Sequence, residues 1–118
     1  MTKVMVRDIT AMVNFYQTAL AADVLDQSDA SACLAIDENI LVFVETGEGG
    51  SQQISIQYDD EQTLSRAEES LASAVKYRMS QYQQNNQVSR KITFVDIEGN
   101  DVSLLYHQVF VPETLDVD

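Results

Sequence analysis

The sequence is short of the residues that usually announce a chemistry. It has no Trp, one Pro, one Cys, one His and four Gly in 118 residues. A lone Cys33 closes no internal disulfide, and with His107 it falls short of the three or four Cys and His ligands that a zinc site takes. No Ser-His-Asp arrangement, Gly-rich phosphate loop or Cys-x-x-Cys pair is present. No apolar run approaches the roughly 18 residues of a membrane span. The start, Met1 to Asp8, lacks the apolar core and small-residue cleavage site of a signal peptide, so a soluble cytoplasmic protein with no membrane partner is expected. Bases are scarce too: seven against 19 acids, a net charge of −12. Binding to a phosphate backbone relies on clustered Lys and Arg, so nucleic acid is not an expected partner, and the overall field favours cationic ligands.

What is present describes an ordinary folded chain. Hydrophobic residues make up 45% and charged ones 22%, a globular composition, and 118 residues suffice for one domain. Lys3 to Arg7 reads as a strand, and Asp8 as a helix cap. Ile9, Met12, Val13, Tyr16 and Leu20 then fall on one helical face. A brief strand is expected at Val24-Leu25, others at Ala32–Ile36 and Ile40–Val44, with Asp37-Glu38-Asn39 as a turn. Thr46 to Ser51 has the composition of a linker. After it the order repeats. Gln53 to Tyr58 alternates polar with apolar; Asp59-Asp60 offers capping carboxylates, with Asp59 assigned to that role; Leu64, Ala67, Leu71 and Val75 lie on one helical face. Tyr77 and Met79 suggest a short strand, the Gln-rich stretch from Gln81 to Ser89 a loop, and Ile92–Val95 and Val102–Tyr106 two more strands around a Glu98-Gly99-Asn100 turn. The expected fold class is α+β: two βαβββ halves, about residues 1–47 and 52–108.

Val6-Arg7-Asp8 leading into Asn14-Phe15-Tyr16-Gln17-Thr18-Ala19-Leu20, and the acidic Gly-containing turn Asp96 to Asp101 before a last strand, resemble the vicinal-oxygen-chelate superfamily of glyoxalase I, extradiol dioxygenases, fosfomycin-modifying enzymes and bleomycin-resistance proteins. The resemblance covers about residues 1 to 107. It departs at Ala21, where the family usually has Gly, which points to a strained or altered helix cap. It implies two curled four-stranded sheets around a cup-shaped cavity with helices outside. Catalytic members hold a divalent ion on the first, fourth, fifth and eighth strands. The matching positions here are Met1, Val42, Gln53 and Ser103, of which only Gln53 is a credible ligand. No metal and no other cofactor is therefore expected.

Strand alternation puts Gln53, Ser55 and Gln57, and Ser103, Leu105 and His107, on the cup side. With Val42, Val44 and Glu45 these are the expected ligand-binding residues, and no catalytic residue is assigned. Tyr58 and Tyr106 read as core, and Cys33 as a small buried residue. The leading expectation is a metal-free binder of a small organic molecule, with a cationic one admitted by the net charge, acting as a homodimer. One alternative is a metal-dependent lyase, isomerase or dioxygenase with a non-standard site built on Glu45 with Gln53 or His107; another is an acidic protein-interaction module. The tail Val109-Phe110-Val111-Pro112 is expected to cover a partner subunit or a sheet edge, and Glu113, Asp116 and Asp118 to be solvated.

Overall fold

The structure, a computed structural model, describes residues 1–84 and 87–109. Its elements are β1 (Thr2–Val6), α1 (Ile9–Leu20), β2 (Asp23–Gln27), β3 (Ser31–Ile36), β4 (Asn39–Glu45), β5 (Gln53–Tyr58), α2 (Glu61–Ala72), β6 (Arg78–Gln84), β7 (Gln87–Val95) and β8 (Asp101–Val109). The strands form two mixed four-stranded sheets of matching order, β1-β4-β3-β2 and β5-β8-β7-β6. In each, the first strand pairs parallel to the last and the others pair antiparallel. The expected α+β class and its two βαβββ halves are observed.

Each half buries one face of its sheet under a helix. Val4, Val6, Leu34, Ile36, Leu41 and Phe43 do so in the first half, and Ile54, Ile56, Ile92, Leu104 and Tyr106 in the second. These residues share one core with Met12, Tyr16 and Leu20 of α1 and with Leu64 and Leu71 of α2. The two helices also pack on one another. Tyr58 and Tyr106 are in the core as expected, although the buried Tyr58 hydroxyl has no hydrogen-bond partner among the described residues.

Several local expectations are revised. Gln81–Gln84 and Gln87–Ser89 are strand and not loop: Gln81↔Arg90 and Gln84↔Gln87 are in register in the β6–β7 pair, and residues 85–86 lie outside the described residues. A polar strand at a sheet edge forms through backbone pairing and needs no apolar period. The cap of α2 is Asp60, not Asp59; its carboxylate accepts from Gln62 N at 2.6 Å and Thr63 N at 3.2 Å. Asp8 caps α1 as expected, accepting from Ala11 N at 3.0 Å. Ala21 adopts the left-handed conformation (φ 53°, ψ 39°) that Gly would enter without strain. Cys33 is half-buried and lies on the open side of β3, because Ala32, Leu34 and Ile36 take the helix side. Val75 lies beyond the end of α2 yet packs on the core.

The segment read as a linker is fitted closely to the junction of the halves. Glu98 accepts from the backbone N–H of Arg7 at 2.9 and 3.0 Å and of Asp8 at 2.9 Å, and Arg7 Nη2 donates to Gly49 O at 2.9 Å. A Cβ on Gly49 would collide with the Glu98 carboxylate, and one on Gly50, at φ +88°, with the Glu98 carbonyl. Beneath this contact Tyr16 Oη donates to Asp96 at 2.7 Å, and Asp96 also accepts from Asn100 Nδ2 at 2.9 Å. The backbone of β8 continues through Val109, whereas the expectations for Phe110, Val111, Pro112, Glu113, Asp116 and Asp118 lie outside the described residues.

Candidate functional site

The face of each sheet turned away from the helices is open among the described residues. Directly opposed residues of neighbouring strands share a face, so the registers define rows across the second sheet. Gln53, Asp101 and Val95 form one row; Ser55, Ser103, Thr93 and Arg78 the next; Gln57, Leu105, Lys91 and Ser80 the third. Beyond them His107 opposes Ser89. A groove of about 1020 Å³ runs over the first rows, and its walls are completed by Val75, Lys76 and Tyr77 from the segment after α2. Amides and hydroxyls (Gln53, Ser55, Thr93, Ser103) lie beside apolar surface (Val75, Val95). That mixture suits a small organic molecule.

Three of the seven bases of the chain, Lys76, Arg78 and Lys91, line this groove, against a single acid, Asp101. None of the three forms an ion pair among the described residues; the ion pairs seen there belong to Arg90, whose guanidinium lies beneath α2 against Glu61 at 3.5 Å and Glu68 at 3.1 Å. The net charge pointed to a cationic ligand, but the local charge of the groove is of the other sign.

The expected site residues divide. Gln53, Ser55 and Ser103 line the groove. Gln57 and Leu105 share its face one row further on. His107 is remote from it along β8, where its Nδ1 and Ser89 Oγ share a hydrogen bond of 2.7 Å. Val42 and Val44 lie half-buried on the open face of the first sheet, away from the groove. Glu45 has the parity of Leu41 and Phe43, so it lies at the exposed end of the opposite face. Sequence reasoning missed Lys76, Arg78, Lys91, Thr93 and Asp101. Extending the alternation of Ile92 and Phe94 backwards finds Thr93 and Lys91; Arg78 lies between Tyr77 and Met79 of the expected short strand, but with no register for that strand nothing in the sequence places it or Lys76 at the groove.

Structural comparison places this architecture among solved proteins. A glyoxalase/bleomycin resistance protein/dioxygenase from Alicyclobacillus acidocaldarius superposes with a TM-score of 0.70 at 13% identity, covering 96% of this chain and 91% of its own. Lactoylglutathione lyase from Agrobacterium tumefaciens gives 0.67 at 13%, covering 89% and 90%. The fosfomycin resistance protein FosX from Listeria monocytogenes gives 0.65 at 17%, covering 89% and 88%. The fold is that of the vicinal-oxygen-chelate superfamily. No family model and no curated protein matches the sequence.

Against the ion site expected of catalytic vicinal-oxygen-chelate proteins, the side chains fit poorly. Val42 offers no lone pair, Met1 only a soft thioether and Ser103 a neutral hydroxyl, which leaves the Gln53 amide. Of the stronger donors only Asp101 stands beside it. Asp101 is opposite Gln53, but His107 is six residues further along β8, about 20 Å at strand rise, and Glu45 is on the other face of its sheet. Among the described residues no three of His, Cys, Asp and Glu come together. No helix of the described residues is long and apolar enough to cross a membrane.

Proposed function

We propose that this chain binds a small organic molecule on the open face of its second sheet and needs no metal ion or other cofactor to do so. The observation that carries the reading is the groove itself: about 1020 Å³ of open space whose lining joins Gln53, Ser55, Thr93 and Ser103 to apolar Val75 and Val95. An ion-centred lyase or dioxygenase would need donors that the neighbouring rows do not supply. An acidic interaction module would have this face filled by its own side chains, and among the described residues none fills it.

The binding protein is a homodimer in this reading. On the open face of the first sheet Met5 and Val44 are opposed, and Ile40 and Val42 continue the same apolar surface. Met5 is 43% exposed, and none of the described residues covers it. Burying such a surface against a second copy is favourable by roughly 25 cal/mol per Å².

The test combines mass, metal and binding. Protein purified without chelators is expected to have a solution mass near twice 13.2 kDa, to hold less than stoichiometric Ni, Zn, Mn or Fe, and to bind probes such as phenylphosphonate, benzoate or benzyl alcohol equally well with and without EDTA, releasing them unchanged. A stoichiometric ion whose removal abolishes binding would overturn the metal-free reading.

A further inference from the structure

We propose that the groove over the second sheet selects a small organic anion, with Arg78 and Lys91 gripping its oxyanion head above the hydroxyls of Thr93 and Ser103. This rests on the small-molecule reading above and names the ligand class.

The argument starts from scarcity. In a chain with 19 acids and seven bases, a patch holding three bases and one acid runs against the composition. Their placement is more specific than their number. Arg78 opposes Thr93 in the β6–β7 pair, while Lys91 opposes Ser80, two residues further along β6. Arg78 and Lys91 are thus diagonal neighbours on one face, about 7–8 Å apart at the backbone, a separation that long side chains bridge. Two like charges so placed repel one another, and neither has an acidic partner within 4 Å among the described residues. An anion seated between them converts that repulsion into two charge-assisted contacts.

The remaining chemistry of the row matches an oxyanion. From Arg78 the register runs through Thr93 and Ser103 to Ser55, so a guanidinium is followed by three hydroxyls across all four strands, a span of about 14 Å. A guanidinium gives two parallel N–H donors to a phosphoryl or carboxylate group, an ammonium gives a point charge, and each hydroxyl donates once. Val75 and Val95, on the groove wall, offer apolar contact to the organic body attached to that head. Asp101 stands one row away from Arg78, beside Gln53.

The experiment titrates the purified full chain with phenylphosphonate, benzoate, benzyl alcohol and benzyltrimethylammonium, by calorimetry at low salt. The two anions are expected to bind and the cation not. Arg78→Gln and Lys91→Gln are each expected to weaken anion binding about tenfold or more, the worth of one charge-assisted contact. Benzyl alcohol binding should be unchanged in both. Arg66→Gln, which removes an exposed base outside the groove, should leave anion affinity as it was. Arg78 and Lys91 are both exposed, and a circular dichroism spectrum of each variant checks that it folds. The relative affinity of phenylphosphonate and benzoate assigns the head as phosphoryl or carboxylate. Anion binding that survives both substitutions, or falls equally with Arg66→Gln, would overturn the site. Benzyl alcohol binding without either anion would overturn the ligand class and leave the small-molecule reading standing. Binding of no probe would overturn both.

Discussion

Tyr16 illustrates how much a single buried residue decides here. Its ring is fully buried and meets Phe15 and Phe43 edge-on at 5.4 and 5.5 Å. Its hydroxyl, 80 positions away in sequence from Asp96, donates to that carboxylate. Burial first, and then the negative charge of Asp96, raise the Tyr16 pKa well above its ordinary value, so the phenol remains a donor throughout the working range of pH. Tyr16→Phe leaves Asp96 with fewer donors in a buried place and is expected to cost about 1.5–3 kcal/mol, the worth of a hydrogen bond to a charged group; urea unfolding measures it, and a change of a few tenths would show that Asp96 is satisfied without the phenol. Helical spacing alone put Tyr16 in the core. That its hydroxyl reaches across to the second half is absent from any local pattern, because such a bond depends on how the halves pack.

At the level of elements, two of the four edge strands, β1 and β5, are each met at one residue by a side-chain amide. Gln52 acts as a substitute peptide for β1, accepting from Met5 N at 3.0 Å and donating to Met5 O at 2.7 Å. Asn39 does the same for β5, accepting from Gln57 N at 3.1 Å and donating to Gln57 O at 2.8 Å. An unpaired edge is a template for aggregation, and each amide satisfies one donor and one acceptor of it while joining the halves. Asn39→Ala and Gln52→Ala are each expected to cost about 1–2 kcal/mol in chemical denaturation. They should also speed amide hydrogen exchange locally, at Gln57 in the first variant and Met5 in the second; protection unchanged at those two amides would refute the role. The strands themselves were legible wherever apolar residues alternate, as in Gln53–Tyr58. The β6–β7 hairpin was not, since polar side chains occupy both faces of β6 and leave no period to detect.

Across the whole molecule, folding gathers charges that the sequence keeps apart. Glu38, in the turn before β4, meets Asp59 at the end of β5, with Asp37 beside them. A hydrogen bond shared with Asp59 chiefly, then repulsion from Asp59 and Asp37, raise the Glu38 pKa. A carboxyl with a raised folded pKa contributes its full stability below the ordinary carboxylate range and loses it as pH climbs through the raised value. Glu38→Gln keeps a donor and drops the charge, so the variant is expected to melt higher than the wild type near pH 7, with the gap closing below about pH 4; a gap independent of pH would count against this coupling. The same gathering put Lys76, Arg78 and Lys91 around one groove in a chain whose net charge suggested the reverse. The sequence by itself determined the alternation of helix and strand, the two-fold order of elements and which residues of each clear strand face the core, because those follow from local periodicity and capping. Only the tertiary structure decided that Arg78, Thr93, Ser103 and Ser55 stand in one row and that Glu45 and His107 stand apart from it. Strand register is fixed by packing between distant segments, and no local spacing encodes it.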